Sequence, residues 1–395
     1  MKRAKHAGLL LSVVPFLAGC SGFWQAPSTS GSTGSGGCTT NCTTASSGAF
    51  YVLSTTPQIA GASVVSGVVN TIPGSPWQLT STPYSMAMSP NGAFLYVSTT
   101  GGIFVYPISN GGLGAATTIS PDVNGLAIQI DSTGTWLIEA QQGVGQVVMA
   151  AIPLNSSNGG VALTGIEVTT GYNVTATAVQ SKLAISPDDK YIFVPLGGAG
   201  VLVVPFAAGV AAGVSPFGGA TLIPVANSGG SALSVAVDPQ GRVFYVGEVA
   251  GNSGGTSGGL LAYDYSSWLT GTLKQISGSP IASGGLAPNA ILPDAAGNYV
   301  YVANGQGVGN AGNISSFSIS ASGSTYTVAA GSTVSTGTQP LSLAEDSSGQ
   351  FLFDLGGVSN PHFDAFTFDS TTPGKLDAQI STAAAALPVA VVATP

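Results

Sequence analysis

The segment Ser89-Pro90-Asn91-Gly92-Ala93-Phe94-Leu95-Tyr96-Val97 joins a tight turn to a strand. Proline fixes φ and glycine accepts a positive φ, so its first four residues are typical of a turn. The aromatic and β-branched residues after the glycine are those that a half-buried strand selects. This turn glycine, with a bulky apolar residue two positions later, recurs every 42 to 56 residues, with aspartate in one slot: Gly48, Gly92, Gly134, Asp189, Gly241, Gly297 and Gly349. Seven copies of one β-unit at such a period indicate a propeller or a solenoid.

Each unit contains segments for four strands. A stretch of alternating small and apolar residues precedes the turn, as in Ser234-Val235-Ala236-Val237, and an aromatic-rich strand follows it, as in Tyr299-Val300-Tyr301-Val302. A third strand, such as Leu260-Leu261-Ala262-Tyr263, comes after a glycine-rich loop, and a looser fourth segment leads to the next unit. Four strands in roughly 50 residues make the blade of a β-propeller.

The two ends of the chain supply one blade between them. A proline lies nine residues before the glycine at Pro83, Pro288 and Pro340, and the same proline at Pro388 begins a strand after which the chain stops. The first unit lacks such a strand. We therefore predict an all-β, seven-bladed propeller of four-stranded blades over residues 48–395, closed by a C-terminal inner strand and N-terminal strands. A solenoid would contain no split unit.

Residues 1–20 predict an export signal. Three basic residues precede an apolar run that is short for a membrane span, and Leu17-Ala18-Gly19-Cys20 supplies a cleavage site of small residues. The tetrapeptide resembles the bacterial lipobox. That resemblance implies that Cys20 is acylated and that the exported protein is anchored to the cell envelope, at the outer membrane or cell surface. The alternative is a plain secretory signal that contains a cysteine.

Residues 21–47 predict a flexible tether, because they consist almost wholly of Ser, Thr, Gly, Ala and Pro. Cys38 and Cys42 lie within it, and a local disulfide between them is plausible outside the cytoplasm. The predicted propeller contains no cysteine. Its stability must therefore come from its core.

Charge limits the partners that the protein can have. After the signal, five basic residues stand against sixteen acidic ones, an excess of about eleven negative charges. Nucleic acid and anionic lipid headgroups are poor partners for such a protein. We expect a monomer that meets the membrane through its lipid and binds an unidentified protein or glycan.

Several units carry motifs that resemble one family. The stretches Ser89–Val97, Tyr299-Val300-Tyr301-Val302-Ala303-Asn304, Gly74-Ser75-Pro76-Trp77 and Gly278-Ser279-Pro280-Ile281 resemble the bacterial lactonase-like and YVTN-repeat propellers, a group that includes 6-phosphogluconolactonase-like proteins. The resemblance covers residues 48–395. It implies that the strand before each glycine lines a central channel. It also implies a ligand site where the loops after the second strands meet the blade-to-blade connections, here called the loop face. The glycine turns form the opposite, turn face.

Four oxygen-bearing residues occupy strand ends near the loop face. The fifth residue after the glycine is valine in four units but Glu139 and Asp354 in two others, and the seventh position adds Glu248 and Asn304. Breaks in a local rule cluster at functional sites. Together these ligands could hold a divalent cation such as Ca²⁺, the one cofactor that we consider. Alternatively, each side chain is solvated or bonded to loop amides.

Three further candidates concern binding and proton transfer. Lys182, at the start of an inner strand, could attract an anionic ligand, although exposure there explains it equally well. Asn304 is the second candidate for ligand binding. His362, the one histidine after the signal, lies in a predicted loop beside Asp364 and is a candidate general base, with Glu139 as a second catalytic candidate. A surface-loop histidine without a chemical role is the alternative.

These observations predict an envelope-anchored propeller that binds a ligand or partner without turning it over. Sugar-phosphate hydrolysis needs Arg or Lys clamps around the phosphate, and five scattered basic residues provide few. The alternative is a lactonase-like hydrolase assisted by a divalent metal. A structural envelope component is the third possibility.

Overall fold

The computed structural model describes residues 48–120, 125–162, 168–174, 178–210, 214–252, 254–305, 311–336, 339–357, 361–383 and 387–395. The predicted signal and tether, with Cys20, Cys38 and Cys42, lie outside these residues. The described chain forms seven antiparallel sheets, which are the blades of a ring. The predicted fold class is confirmed.

The strands follow in chain order, blade by blade. Blade 1 opens with β1 (Phe50–Ser54), β2 (Gln58–Val65), β3 (Val68–Thr71) and β4 (Trp77–Gln78). Blade 2 contains β5 (Pro83–Met88), β6 (Phe94–Thr99), β7 (Gly102–Ser109), β8 (Gly112–Leu113) and β9 (Thr117–Ser120). Blade 3 contains β10 (Ala127–Ile130), β11 (Trp136–Gly143), β12 (Gln146–Pro153) and β13 (Val168–Tyr172). Blade 4 contains β14 (Ala184–Ile185), β15 (Tyr191–Pro195), β16 (Val201–Pro205) and β17 (Thr221–Ile223).

The remaining blades complete the ring. Blade 5 contains β18 (Ser231–Val237), β19 (Val243–Val249), β20 (Gly259–Asp264), the helix α1 (Tyr265–Leu269) and β21 (Ile281–Ala282). Blade 6 contains β22 (Pro288–Pro293), β23 (Tyr299–Asn304), β24 (Asn313–Ser322) and β25 (Thr325–Ser335). Blade 7 contains β26 (Pro340–Glu345), β27 (Phe351–Gly356), β28 (His362–Phe368) and β29 (Leu376–Ala383), and β30 (Pro388–Ala393) returns to blade 1.

The chain ends close the ring as predicted. Strand β30 pairs antiparallel with β1, with Val391 opposite Val52. Sheet order β3-β2-β1-β30 makes the C-terminal strand the innermost strand of blade 1. The prolines that the sequence singled out are the first residues of β5, β22, β26 and β30. Antiparallel pairing of the two ends thus removes the open edges that an unclosed ring would have.

Apolar side chains fill the interfaces between neighbouring blades. The rings of Phe50 and Phe363 join blades 1 and 7, with centroids 4.5 Å apart and planes within 3° of parallel. Trp136 of blade 3 donates its indole hydrogen to the Ala208 carbonyl of blade 4 at 2.9 Å. Offset aromatic pairs add to the free energy gained from burial alone. These contacts hold the blades at fixed angles around the channel.

Turn aspartates fix the inner hairpins. The buried Asp131 carboxylate accepts the amides of Thr135 at 2.8 Å and Trp136 at 2.7 Å. Asp346 accepts those of Gln350 at 3.0 Å and Phe351 at 2.7 Å. Both carboxylates therefore stabilise the turns that join the first and second strands of their blades.

Asp131→Ala is expected to lower the free energy of unfolding by about 2 to 4 kcal/mol, because it removes the acceptor of the buried Trp136 amide and of the Thr135 amide. Urea unfolding measures this change. Thr117→Ala, at an exposed position, is the matched control and should change stability by less than about 0.5 kcal/mol. Equal effects of the two substitutions would contradict the turn-forming role.

The helix α1 was not expected from the sequence. It contains five residues, and the Asp264 side chain caps it by accepting the Ser267 amide at 3.1 Å. A single turn is too short to show a helical period. Among the described residues, no helix has the length and apolar character needed to cross a membrane.

Candidate functional site in the central channel

The inner strands surround a cavity of about 410 Å³ to which every blade contributes side chains. It extends to Pro90 and Pro395, both exposed at the turn face. Lys182 and Glu345 are the charged residues among its described lining. A concave site with few polar groups is the usual form of a small-molecule pocket.

Lys182 breaks a column of small residues. The seventh residue before the glycine slot is serine or alanine in five other blades, and Ala390 takes the equivalent place, two residues after the strand proline, in blade 1: Ser85, Ala127, Ser234, Ala290, Ser342 and Ala390. In those blades the residue is buried and packs in a confined space. The lysine side chain in blade 4 is too long for such a space, and it extends into the channel.

The Lys182 side chain reaches across the channel. Its Nζ donates to the Ser342 Oγ of blade 7 at 2.6 Å, and that oxygen also accepts the Val391 amide at 3.1 Å. Beside it, Ser85 of blade 2 donates to the Ser181 carbonyl at 3.0 Å. The segment just before the inner strand of blade 4 is therefore hydrogen-bonded to blades 2 and 7, neither of which is its neighbour in the ring.

Burial changes the acidity of the amine. Removing the ammonium from water disfavours its charged form, which lowers the pKa of Lys182 to about 8. At neutral pH the group is still mainly an ammonium. It places a positive charge and spare N–H donors at one end of the cavity.

The other basic residues of the described chain are each bound to an aspartate. The pairs are Lys190–Asp188 at 3.1 Å, Arg242–Asp238 at 2.7 Å, Lys274–Asp264 at 3.9 Å and Lys375–Asp369 at 2.6 Å. Within the described residues, Lys182 has no carboxylate partner within 4.0 Å. It is thus the one basic side chain there whose charge is available to a ligand.

Glu345 lies on the same cavity wall, nearer the turn face. Its Oε2 accepts the Ala295 amide at 3.0 Å, and burial raises the pKa of Glu345 to about 6. It follows Ser342 by three residues, so it lies about 10 Å along the strand. The cavity therefore carries a hydrogen-bond donor at one end and an acceptor towards the other.

The four predicted metal ligands do not meet. Glu139 packs on Gly125, whose added Cβ would lie 2.5 Å from its Cγ, whereas the Glu248 carboxylate accepts the Ala226 amide at 2.9 Å. Side chains of a second strand point into the neighbouring blades, because the stacked sheets leave them no other direction. No group of three or more His, Cys, Asp or Glu side chains in the described residues is arranged to hold a metal.

Asn304 is fully buried and held by its own protein. Its Oδ1 accepts from Ser283 Oγ at 2.7 Å, and its Nδ2 donates to the Ser283 carbonyl at 2.7 Å and to Asn313 Oδ1 at 2.8 Å. These bonds satisfy the amide inside the interface between blades 5 and 6. Asn304 therefore lies in the packing between two blades and is not among the residues that line the channel cavity.

His362 belongs to a buried acidic cluster in blade 7. It begins β28, so the predicted surface loop is wrong at this residue, and its side chain is only 8% exposed. Its Nε2 lies 3.0 Å from Asp364 Oδ2. Asp354 stands opposite Asp364 in the strand register, and burial, together with the Asp364 charge, raises the pKa of Asp354 well above its usual value. The roles of His362 and Glu139 in catalysis stay predictions.

Solved structures share this fold along nearly their whole length. A protein of Bacteroides uniformis provisionally designated a 6-phosphogluconolactonase is 17% identical with a TM-score of 0.65, and the match covers 87% of this chain and 98% of that one. The periplasmic gluconolactonase of Pseudomonas aeruginosa is 18% identical with a TM-score of 0.63, covering 89% and 100%. A Bacteroides fragilis protein with the same provisional designation as the first is 16% identical with a TM-score of 0.65, covering 87% and 97%.

No family model matches the sequence. No curated protein matches it either. At identities below a fifth, the structural likeness concerns the fold, because one fold hosts many activities. The repeats, the ring of seven blades and these similarities lead to one conclusion: the chain has the lactonase-like seven-bladed β-propeller fold.

Proposed function

We propose that the protein hydrolyses an unphosphorylated sugar lactone held in its central channel. The observation that carries this proposal is Lys182, a cation without a carboxylate partner that lines the cavity and spans it to Ser342. The likeness to a solved gluconolactonase supports the choice of substrate class.

The proposed chemistry needs little beyond stabilisation of negative charge. Water adds to the lactone carbonyl carbon, the ring C–O bond breaks as the ring oxygen takes up a proton, and the resulting hydroxy acid ionises to its carboxylate and one proton. The Lys182 ammonium donates to the carbonyl oxygen, where negative charge develops as water adds. Glu345 is too far along the strand to act at the same atom, and it accepts hydrogen bonds from the sugar hydroxyls instead.

The absence of a phosphate clamp in the described chain favours a neutral substrate. Phosphate recognition uses several Arg or Lys donors. Four of the five basic residues after the predicted signal are occupied by aspartates, which leaves one charge for the channel. One ammonium can polarise a carbonyl, but it is a poor match for a phosphate dianion.

The test compares two lactones. The purified protein is expected to accelerate proton release from glucono-δ-lactone at pH 6.5, followed with a pH indicator, and to act much less on 6-phosphoglucono-δ-lactone. Activity that disappears with a chelator would favour the metal-assisted alternative. Failure to accelerate either reaction would contradict hydrolysis and favour ligand binding without turnover.

We also propose that the protein is exported and held to the cell envelope by a lipid on Cys20. The support is the Leu17-Ala18-Gly19-Cys20 sequence after a basic and apolar segment. Metabolic labelling with a radioactive fatty acid in a bacterial host tests it. Label in the wild type and none in Cys20→Ser is the expected result, whereas a soluble unlabelled wild type would contradict it.

A further inference from the structure

A second concave site lies away from the channel, between blades 1 and 2. This groove has a volume of about 320 Å³ and is lined by the rings of Trp77, Phe104 and Tyr106 with the polar side chains of Gln78 and Thr80. It shares no lining residue with the channel cavity. No charged side chain is among its described lining residues.

The loop that carries Trp77 in blade 1 has a counterpart in blade 5, and comparing the two separates what the fold needs from what is particular to the groove. The turns at Gly74 and Gly278 have φ values of +90° and +91°, and in each the next serine accepts an amide of the strand beside it. Ser75 accepts from Gly61 at 2.9 Å, and Ser279 accepts from Ala262 at 2.8 Å. The two loops are therefore equivalent in geometry.

The equivalent loops end in different side chains. Blade 1 has Trp77 where blade 5 has Ile281. The strand residue beside the loop changes with it, because a Cβ on Gly61 would lie 2.8 Å from the indole, whereas blade 5 has Ala262 there. An aliphatic residue thus suffices for the loop. The loop therefore needs neither the tryptophan nor the glycine that makes room for it, so a different role must account for this pair.

Two side-chain donors, the Trp77 Nε1 and the Tyr106 hydroxyl, belong to the residues that line the groove. Neither group makes a hydrogen bond to the described residues, although the tyrosine side chain is nearly buried. Tyrosine and tryptophan each combine an apolar ring with one polar group, which makes them frequent at binding surfaces. These accessible donors beside aromatic ring faces suit a ligand with both apolar and hydrogen-bonding surfaces.

We propose that this groove binds a neutral saccharide, one sugar ring lying against Trp77 and its hydroxyls meeting the Trp77 and Tyr106 donors. The apolar C–H face of a sugar ring packs on aromatic rings, and its equatorial hydroxyls take the polar contacts. The uncharged lining disfavours acidic sugars. The volume falls at the lower end of the range for small-molecule sites, about 300 to 1,000 Å³. This site is independent of lactone hydrolysis.

Titration of the purified protein with cellobiose, maltose and N,N′-diacetylchitobiose tests the proposal, by calorimetry and by tryptophan fluorescence. We expect at least one of these probes to bind with a Kd below about 10 mM and to change the fluorescence. Trp77→Ile is expected to weaken that binding at least tenfold. The variant should fold, since isoleucine occupies the equivalent place in blade 5.

Two control variants locate the site. Trp268→Phe, in α1 far along the chain, should retain both binding and the fluorescence change. Lys182→Met should retain binding, because the channel is a separate cavity. The proposal is overturned if no probe binds, if Trp77→Ile binds as the wild type does, or if Lys182→Met abolishes binding and so places the sugar in the channel. Uptake of an apolar dye without any saccharide would also overturn it.

Discussion

Lys182→Met is expected to lower kcat/KM for glucono-δ-lactone by about 10²- to 10³-fold, the usual effect of losing one donor to a developing oxyanion. Methionine keeps the length and the apolar stem of the side chain and removes the charge. Initial rates of proton release, corrected for spontaneous hydrolysis, measure the loss. The rate of the wild type should fall above about pH 8, because Lys182 then loses the proton that it donates.

Three variants show whether the loss is chemical. Lys190→Met removes an exposed lysine that is paired with Asp188 and should leave the rate unchanged. Ser342→Ala removes the partner of Lys182 but keeps its charge, so most activity should remain. Lys182→Met should stay folded at pH 7, since burial of the ammonium disfavours the folded state below its lowered pKa. Activity in Lys182→Met equal to that of the wild type would exclude the channel as the reaction site.

Asp354→Val is expected to raise the free energy of unfolding by about 1 to 3 kcal/mol at pH 8. Asp354 is fully buried, and neither of its carboxylate oxygens has a hydrogen-bond partner of standard geometry. Valine fills the same slot in four other blades, so its size is compatible with the interface. The free energy gained by removing an unsatisfied carboxylate should therefore exceed the free energy lost through the change in side-chain shape.

The gain should grow with pH. Because the folded-state pKa of Asp354 is raised above its unfolded value, the folded protein holds more protons across that interval. Wild-type stability therefore falls as pH rises from about 4 towards the raised pKa. Denaturant unfolding at pH 5 and pH 8 should give a larger difference at pH 8. Asp354→Asn, which removes only the charge, should lose the pH dependence with a smaller gain. A Val variant less stable than the wild type at pH 8 would mean that the carboxylate is held by a partner.

The ring of blades could be predicted because its determinants are local and repeated. Each turn is recognisable from its own residues, as in Pro90-Asn91-Gly92. Because the unit occurs seven times, the pattern remains visible even where one copy departs from it. The closure was predictable because Pro388 repeats the start of an inner strand, and the first unit lacks such a strand of its own. The helix α1 escaped prediction because one turn carries no periodic signal.

The candidate sites were harder to predict. Counting residues from the glycine gives a position along the strand, but it does not show which way the side chain points. Glu139 and Asp354 lie in the middle of β11 and β27, not at the predicted strand ends, and their side chains are fully buried. The signal for Lys182 was available: it is the single long side chain in a column of serine and alanine. Its partner Ser342 lies 160 residues away, and only the curvature of the ring brings the two together.

The position of Gly48 in the closed ring has a consequence for orientation. A Cβ on this residue would lie 2.5 Å from Thr394 Oγ1, so the described chain begins at the turn face, next to its own C-terminus. Pro395 at that end also lines the mouth of the channel cavity. The polypeptide thus enters the propeller on the side to which the channel cavity extends. Any attachment upstream of Gly48 would therefore join the propeller at the turn face, beside the cavity lining at Pro395.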